Sequence, residues 1–318
     1  MIRYIVRRTL QAVIVLFGVT VITFIILQSL PGGPARVLLG SHYTAAKFAA
    51  LSRQLGLNRP HVVQYLIWVS HLMRGNFGFS YVHQLPVSQL LVPGVVNSAI
   101  LGGMSIVEAL AIGIPIGVFQ ARRRGTMRDT ALTTLSFILY SMPVFFIGAI
   151  AILYLAVRTH IFPVGGVLNV GQSGVSLWTR IYHALLPSFV LASVQMAAWS
   201  RYMRSSTLET MVQDYMLNAR AKGLTETRAV WFHGFRNALL PIITLLGLSF
   251  PALIGALVVV ESVFNYPGMG YLLWQGAQQY DFPVVLGATV VAAVASVAGN
   301  FFADILYVVV DPRIRHEG

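Results

Sequence analysis

The sequence predicts an all-α integral membrane protein with six transmembrane helices. Three observations carry that prediction: mean hydropathy is +0.72, only 10% of the 318 residues are charged while 56% are hydrophobic, and six apolar runs are long enough to cross a bilayer. A soluble domain carries about 25% charged residues, so the composition excludes ordinary aqueous packing. A crossing helix needs roughly 20 mostly apolar residues, because the hydrocarbon layer is about 30 Å thick and each residue advances the helix about 1.5 Å.

The runs lie near residues 9–30, 98–121, 131–157, 184–200, 238–260 and 283–304, the fourth being the shortest. Basic residues orient them, since arginine and lysine concentrate in cytoplasmic loops. Arg3, Arg7 and Arg8 precede the first run, Arg122, Arg123, Arg124 and Arg128 separate the second from the third, and Arg201, Arg204, Arg220, Lys222, Arg228 and Arg236 separate the fourth from the fifth. Placing these inside puts both termini in the cytoplasm. The formal charge of +12 then reflects topology and anionic headgroups, and no nucleic-acid partner is expected. The apolar core of the first run exceeds that of a cleaved signal and is expected to remain as an anchor. The absence of cysteine excludes disulfides, thiolate metal sites and cysteine nucleophiles.

Four parts follow: 1–30, an N-terminal tip with the first transmembrane helix; 31–97, a small helical extracytoplasmic cap; 98–310, a core of five transmembrane helices with a cytoplasmic segment at 201–241; and 311–318, a cytoplasmic tail. In the cap, Pro31-Gly32-Gly33-Pro34 breaks the first helix, because proline lacks a backbone donor and glycine tolerates unusual dihedrals. Helices are predicted over Ala45–Leu55, stopped at Gly56, and over His61–Met73, where Tyr65 and Trp68 suit a membrane interface. Gly75-Asn76-Phe77-Gly78 reads as a turn.

The cytoplasmic segment reads as helix, stop, helix. From Thr207 to Lys222, Leu208, Met211, Val212, Tyr215 and Ala219 recur every three or four residues on one face, opposite Glu209, Gln213 and Arg220. Gly223 sits where a terminating glycine belongs, after Arg220 and Lys222, which complement the helix dipole. A second piece runs from Thr225 to Ala238.

At these residues the chain resembles permease subunits of ABC importers of the dipeptide, oligopeptide and nickel family, and within it the first permease of the pair. The matching positions are Arg204-Ser205-Ser206, Leu208-Glu209, Gln213-Asp214-Tyr215, Ala219-Arg220-Ala221-Lys222-Gly223-Leu224 and Arg236-Asn237-Ala238-Leu239-Leu240-Pro241, followed by Glu261, Phe264, Pro267-Gly268 and Asp311-Pro312-Arg313. Cap positions Gly56-Leu57, Gln64-Tyr65, Gly75, Gly78 and Pro86-Val87 match as well. Against the general permease signature, aligned on Gly223, the glutamate falls on Leu217, and Leu240-Pro241 arrives late, as in the peptide branch.

The resemblance implies a type I importer transmembrane domain in a prokaryotic cytoplasmic membrane. It pairs with a homologous second permease and two ABC ATPases, and receives peptides from an extracytoplasmic binding protein. ATP and magnesium would be bound by the ATPases; this chain would hold no cofactor or metal and no catalytic residue, and it contains no G-x-x-x-x-G-K-[ST] sequence. Nickel, glutathione or oligosaccharide cargo stays open within the same family. A self-sufficient secondary transporter or channel, or a membrane enzyme, is the reading from other classes.

The resemblance gives an ATPase-coupling role to Glu209, Asp214, Tyr215, Ala219, Arg220, Ala221, Lys222 and Gly223. From the residues alone, an amphipathic helix packed on the bilayer or on its own spans reads as well. Candidate pathway or gate residues are Glu108, Ser141, Pro143, Ser249, Pro251 and Glu261. Glu108, in mid-span, either lines the pathway or bonds a neighbouring helix; Glu261 either shapes a gate or ties down an outer loop. Pro115, Pro143 and Pro251 are hinges or packing kinks, with Ser141 and Ser249 placed to satisfy freed carbonyls. Gly171-Gln172-Ser173-Gly174 resembles a serine-protease motif but falls in a polar outer loop. His42, His61, His71, His83, His160 and His183 lack paired ligand spacing. The outer face is acid-poor, since no Asp or Glu precedes Glu108, and Gly33, Asn58 and Asn76 stand where the family often has acids.

Overall fold

The computed structural model describes residues 2–29, 44–54, 56–80, 82–167 and 176–310. The expectations for Pro31–Pro34, His42, Gly171–Gly174 and the tail from Asp311 lie outside these residues. Among the described residues the secondary structure is helical apart from one two-residue antiparallel ladder, and the contacts form two compact units: residues 1–97 with 267–297, and residues 98–266 with 298–318.

In the first unit, α1 (Ile2–Gln28) is almost wholly apolar beyond Arg8 and leaves most of its surface exposed. It also contains α2 (Ala45–Gln54) and α3 (His61–Met73). Gly56 stops the first in the left-handed region, at φ +68°, and Pro60 precedes the second. Tyr65 and Trp68 of α3 pack on Phe24 of α1, with ring centroids 5.5 and 6.2 Å away. The Tyr65 hydroxyl lies 2.9 Å from Thr20 Oγ1. The turn at Gly75–Gly78 forms as expected, with Asn76 Oδ1 accepting from Gly78 N. It feeds the unexpected ladder β1 (Phe79–Ser80) and β2 (Leu85–Pro86). Ser80 Oγ donates to Asp281, which anchors this hairpin beside α12 (Met269–Gln278).

In the second unit, α4 (Val87–Arg122, entering at Ser98) is followed by α5 (Met127–Ser141), α6 (Val144–Ala151) and a π-helical stretch, Ile152–Arg158. The third span expected at 131–157, with a hinge or kink at Pro143, is bent by 105° between α5 and α6. The cause is local: Met142 is extended (φ −80°, ψ 135°), as a residue before proline prefers, and Pro143 caps the next helix. Pro251, by contrast, lies inside the continuous helix α11 (Leu240–Val263). The fourth run is not short. Helix α7 spans Leu177–Met211, 35 residues, and its polar ends had hidden its length.

Small residues bring α4 and α7 close. A Cβ on Gly117 would stand 2.5 Å from Ser200 O and 2.7 Å from Met203 Cβ, and one on Gly113 3.1 Å from Met196 O. Among the described residues, five helical stretches are long and apolar enough to cross a membrane, or six if the bent pair is one span.

Candidate functional site

Residues 201–241 depart from the single helix that their periodicity predicts. The helix expected over Thr207–Lys222 breaks after Met211: Val212 caps α7, Gln213 is extended, and α8 (Asp214–Ala221) starts anew with Asp214 in its first turn. The single apolar face therefore divides. Val212 and Tyr215 point outward, while Met216 and Ala219 are buried against Val118, Met203, Val230 and Ile242. Arg220 reaches back across the break and donates to Met211 O at 3.2 Å.

The stop at Gly223 has full Schellman geometry. Leu224 N donates to Ala219 O (3.3 Å) and Gly223 N to Arg220 O (2.9 Å), with Gly223 at φ +83°. Leu224 and Ala219 join the same apolar cluster, which locks the end of α8 in place. The second piece is three short elements, α9 (Glu226–Ala229), a π-helical turn (Val230–Gly234) and α10 (Phe235–Ala238), leading into α11. Gly234 allows close packing, since a Cβ there would meet Thr210 Cγ2 at 3.2 Å and Met216 Cε at 3.5 Å.

The resulting surface presents Tyr215 (37% exposed), Leu217, Trp231 and Phe232 (74% exposed) among Asp214, Arg220, Lys222 and Arg228. Ala221 is exposed beside them. Glu209 is exposed on the last turns of α7 and accepts from Ser205 Oγ at 3.3 Å. Of the eight coupling residues expected, Ala219 is buried and serves packing.

Two carboxylates lie deeper. Glu108 Oε1 accepts from Ser188 Oγ at 2.9 Å, linking α4 to α7, and its Oε2 has no hydrogen-bond partner among the described residues. Glu261 is fully buried and accepts from Ser98 Oγ at 2.5 Å. Ser249 Oγ donates to Leu245 O, not to the Gly247 carbonyl that Pro251 frees. Ser141 and Pro143 are exposed at the bend.

Sequence reasoning missed Asp129. Arg204 Nε and Nη2 donate to its two carboxylate oxygens, both at 2.8 Å, and Gly125 N donates to Oδ2. Thr126 and Asp129 form the Thr-x-x-Asp spacing of a helix start, and Thr126 Oγ1 accepts from Asp129 N, a signal that could have found it. Thr227, also missed, accepts from Arg122 and ties α9 to the end of α4.

Residues 113–316 match the family described as binding-protein-dependent transport system inner membrane component, and residues 1–91 match its N-terminal companion. The chain belongs to this family. As a binding-protein-dependent transport component it is a multi-pass permease subunit of the inner membrane. It is similar to the oligopeptide transport system permease protein AppB of Bacillus subtilis, with 43% identity over 314 residues covering 98% of this chain and 99% of the relative. It also resembles the dipeptide transport system permease protein DppB of Escherichia coli (33% over 338 residues, all of both chains) and the glutathione transport system permease protein GsiC of Salmonella choleraesuis (33% over 317 residues, all of both chains). Among solved structures, the inward-facing MetNI methionine ABC transporter matches with a TM-score of 0.51 at 18% identity, over 69% of this chain and 97% of that one. That likeness establishes the type I importer transmembrane fold.

Proposed function

We propose that this permease forms half of an inward pathway for short peptides, with α8 and the turn that follows it docking an ATPase subunit. The observation that carries the docking reading is the division of α8: Met216 and Ala219 hold it in the core while Tyr215 and Leu217 stay outward. A partner that grips the outer face would move a helix already keyed into the core. Exposed aromatics on a short, positioned helix are what a protein interface uses as anchors. Peptide cargo is supported by the relatives, whose names span oligopeptide, dipeptide and glutathione transport.

In this reading a homologous permease completes the pathway, two ATPases bind ATP and magnesium and supply the driving force, a binding protein delivers cargo from outside, and both termini lie in the cytoplasm. Clustered arginines at 122–124 and 128 on the same side as α8 support that orientation. The test is affinity purification of the full importer. Tyr215→Ala is expected to lose the ATPase subunits while the permease pair stays intact. Transport by this chain alone in proteoliposomes would overturn the reading.

A further inference from the structure

Within the first unit, a cavity of about 520 Å³ lies between the Gln28 end of α1, α3, and the start of α13 (Phe282–Val310). Its walls are aromatic and aliphatic: Phe24 and Leu27 from α1, Ile67 and Trp68 from α3, Phe282 and Leu286 from α13. We propose that this cavity holds one acyl chain of an anionic phospholipid, with the lipid phosphate on Arg59 and His71.

The location argues for lipid. Helix α1 spans the bilayer, and Ile22, Ile25 and Ile26 beside the cavity wall are exposed, so the cavity adjoins the helix surface that hydrocarbon covers. Gln28 ends the apolar run, and Tyr65 and Trp68 are interface-type side chains. The cavity thus sits where acyl chains meet headgroups.

The polar groups argue for a phosphate. Gln28 Nε2 donates to Gln64 Oε1, and Gln64 Nε2 donates to Leu57 O and Arg59 O, so these amides are already engaged. Asp281 is 4% exposed and bonded to Ser80. Arg59 and His71 line the cavity, are exposed, and have no acidic partner among the described residues. A peptide would ask such walls for many backbone hydrogen bonds; an acyl chain asks for none.

The assembled importer, delipidated and then mixed with phosphatidylglycerol vesicles, is read by native mass spectrometry. One lipid per permease is expected to survive transfer. Ile67→Trp and Leu286→Phe, which fill the cavity, are expected to lower retention about tenfold, equivalent to losing roughly two buried methylenes. Arg59→Gln is expected to lower it about fivefold and to leave neutral diacylglycerol unaffected. Equal retention in all three variants would overturn the site. So would binding of glycerol phosphate as tight as that of the lipid, which would remove the acyl chain's part. Displacement of the lipid by an apolar tripeptide, with no lipid needed for that peptide's binding, would give the cavity to peptide instead.

Discussion

Arg204 grips Asp129 with two parallel hydrogen bonds of 2.8 Å, joining the start of α5 to the C-terminal part of α7 seven residues before the helix breaks. The Asp129 side chain is 5% exposed and that of Arg204 28%. A guanidinium is the side chain that matches a carboxylate two-for-two. Arg204→Lys keeps the charge but loses the fork, and should lower stability by about 2 kcal/mol. Asp129→Asn should do the same. Thermal unfolding in detergent reads both, and the double variant should fall well short of the sum, because both changes remove one interaction.

Gly117 should resist even a methyl group. Its added Cβ would stand 2.5 Å from a backbone carbonyl on α7, which has no side-chain freedom to yield. Gly117→Ala is expected to cost about 1–3 kcal/mol through overpacking. Gly103→Ala on the same helix meets nothing within 4 Å and is the control expected to leave the melting temperature unchanged.

Tyr215 and Met216 are neighbours that should separate assembly from folding. Met216→Ala empties a fully buried position and should cost about 2–5 kcal/mol. Tyr215→Ala should shift stability by no more than about 0.5 kcal/mol, yet lose the ATPase partner. Comparing melting temperature with ATPase retention for the two variants decides it. An equal loss of stability in both would reassign Tyr215 to packing.

Tyr266 is fully buried, and its hydroxyl has no hydrogen-bond partner among the described residues. Burial, reinforced by the nearby Glu261 charge, pushes its phenol up to about 12. The folded state thus keeps a proton that the unfolded chain releases near pH 10, at about the ordinary tyrosine value. The associated stability is complete below pH 10 and is lost as pH rises through about 12. Tyr266→Phe should be neutral or stabilising by about 1 kcal/mol at neutral pH, since it removes an orphaned polar group. It should also flatten the decline in stability above pH 10, measured by unfolding across that range.

What could be read in the sequence is what local chemistry decides. Helix α3 begins at His61 because Pro60 precedes it, and α8 ends at Gly223 because a left-handed position favours glycine. The break at Val212–Gln213 gave no such sign: neither residue is glycine or proline, and the extended Gln213 is fixed by Met216 entering the core. The ladder at Phe79–Pro86 hides for a similar reason, since the left-handed position in its turn is Gln84 at φ +55°. Proline at 143 announced a disturbance, but its 105° size depends on what α6 packs against. At the candidate site, the residue types were visible from spacing; which of them face outward was not, because two helices now stand where one periodicity was read.

Helix α7 has 35 residues and so extends about 52 Å, well beyond a hydrocarbon layer of roughly 30 Å. Along it Ser188 meets α4, Ser200 and Arg204 meet α5, and Thr210 lies beside Gly234, with nothing but Pro187 to interrupt its hydrogen bonding. As a stiff rod it converts angle into distance. A tilt of about 5° around Leu177 would carry Met211 sideways by about 4.5 Å, nearly the rise of one helical turn. A displacement too small to disturb packing at one end would therefore arrive at the other as a change of register.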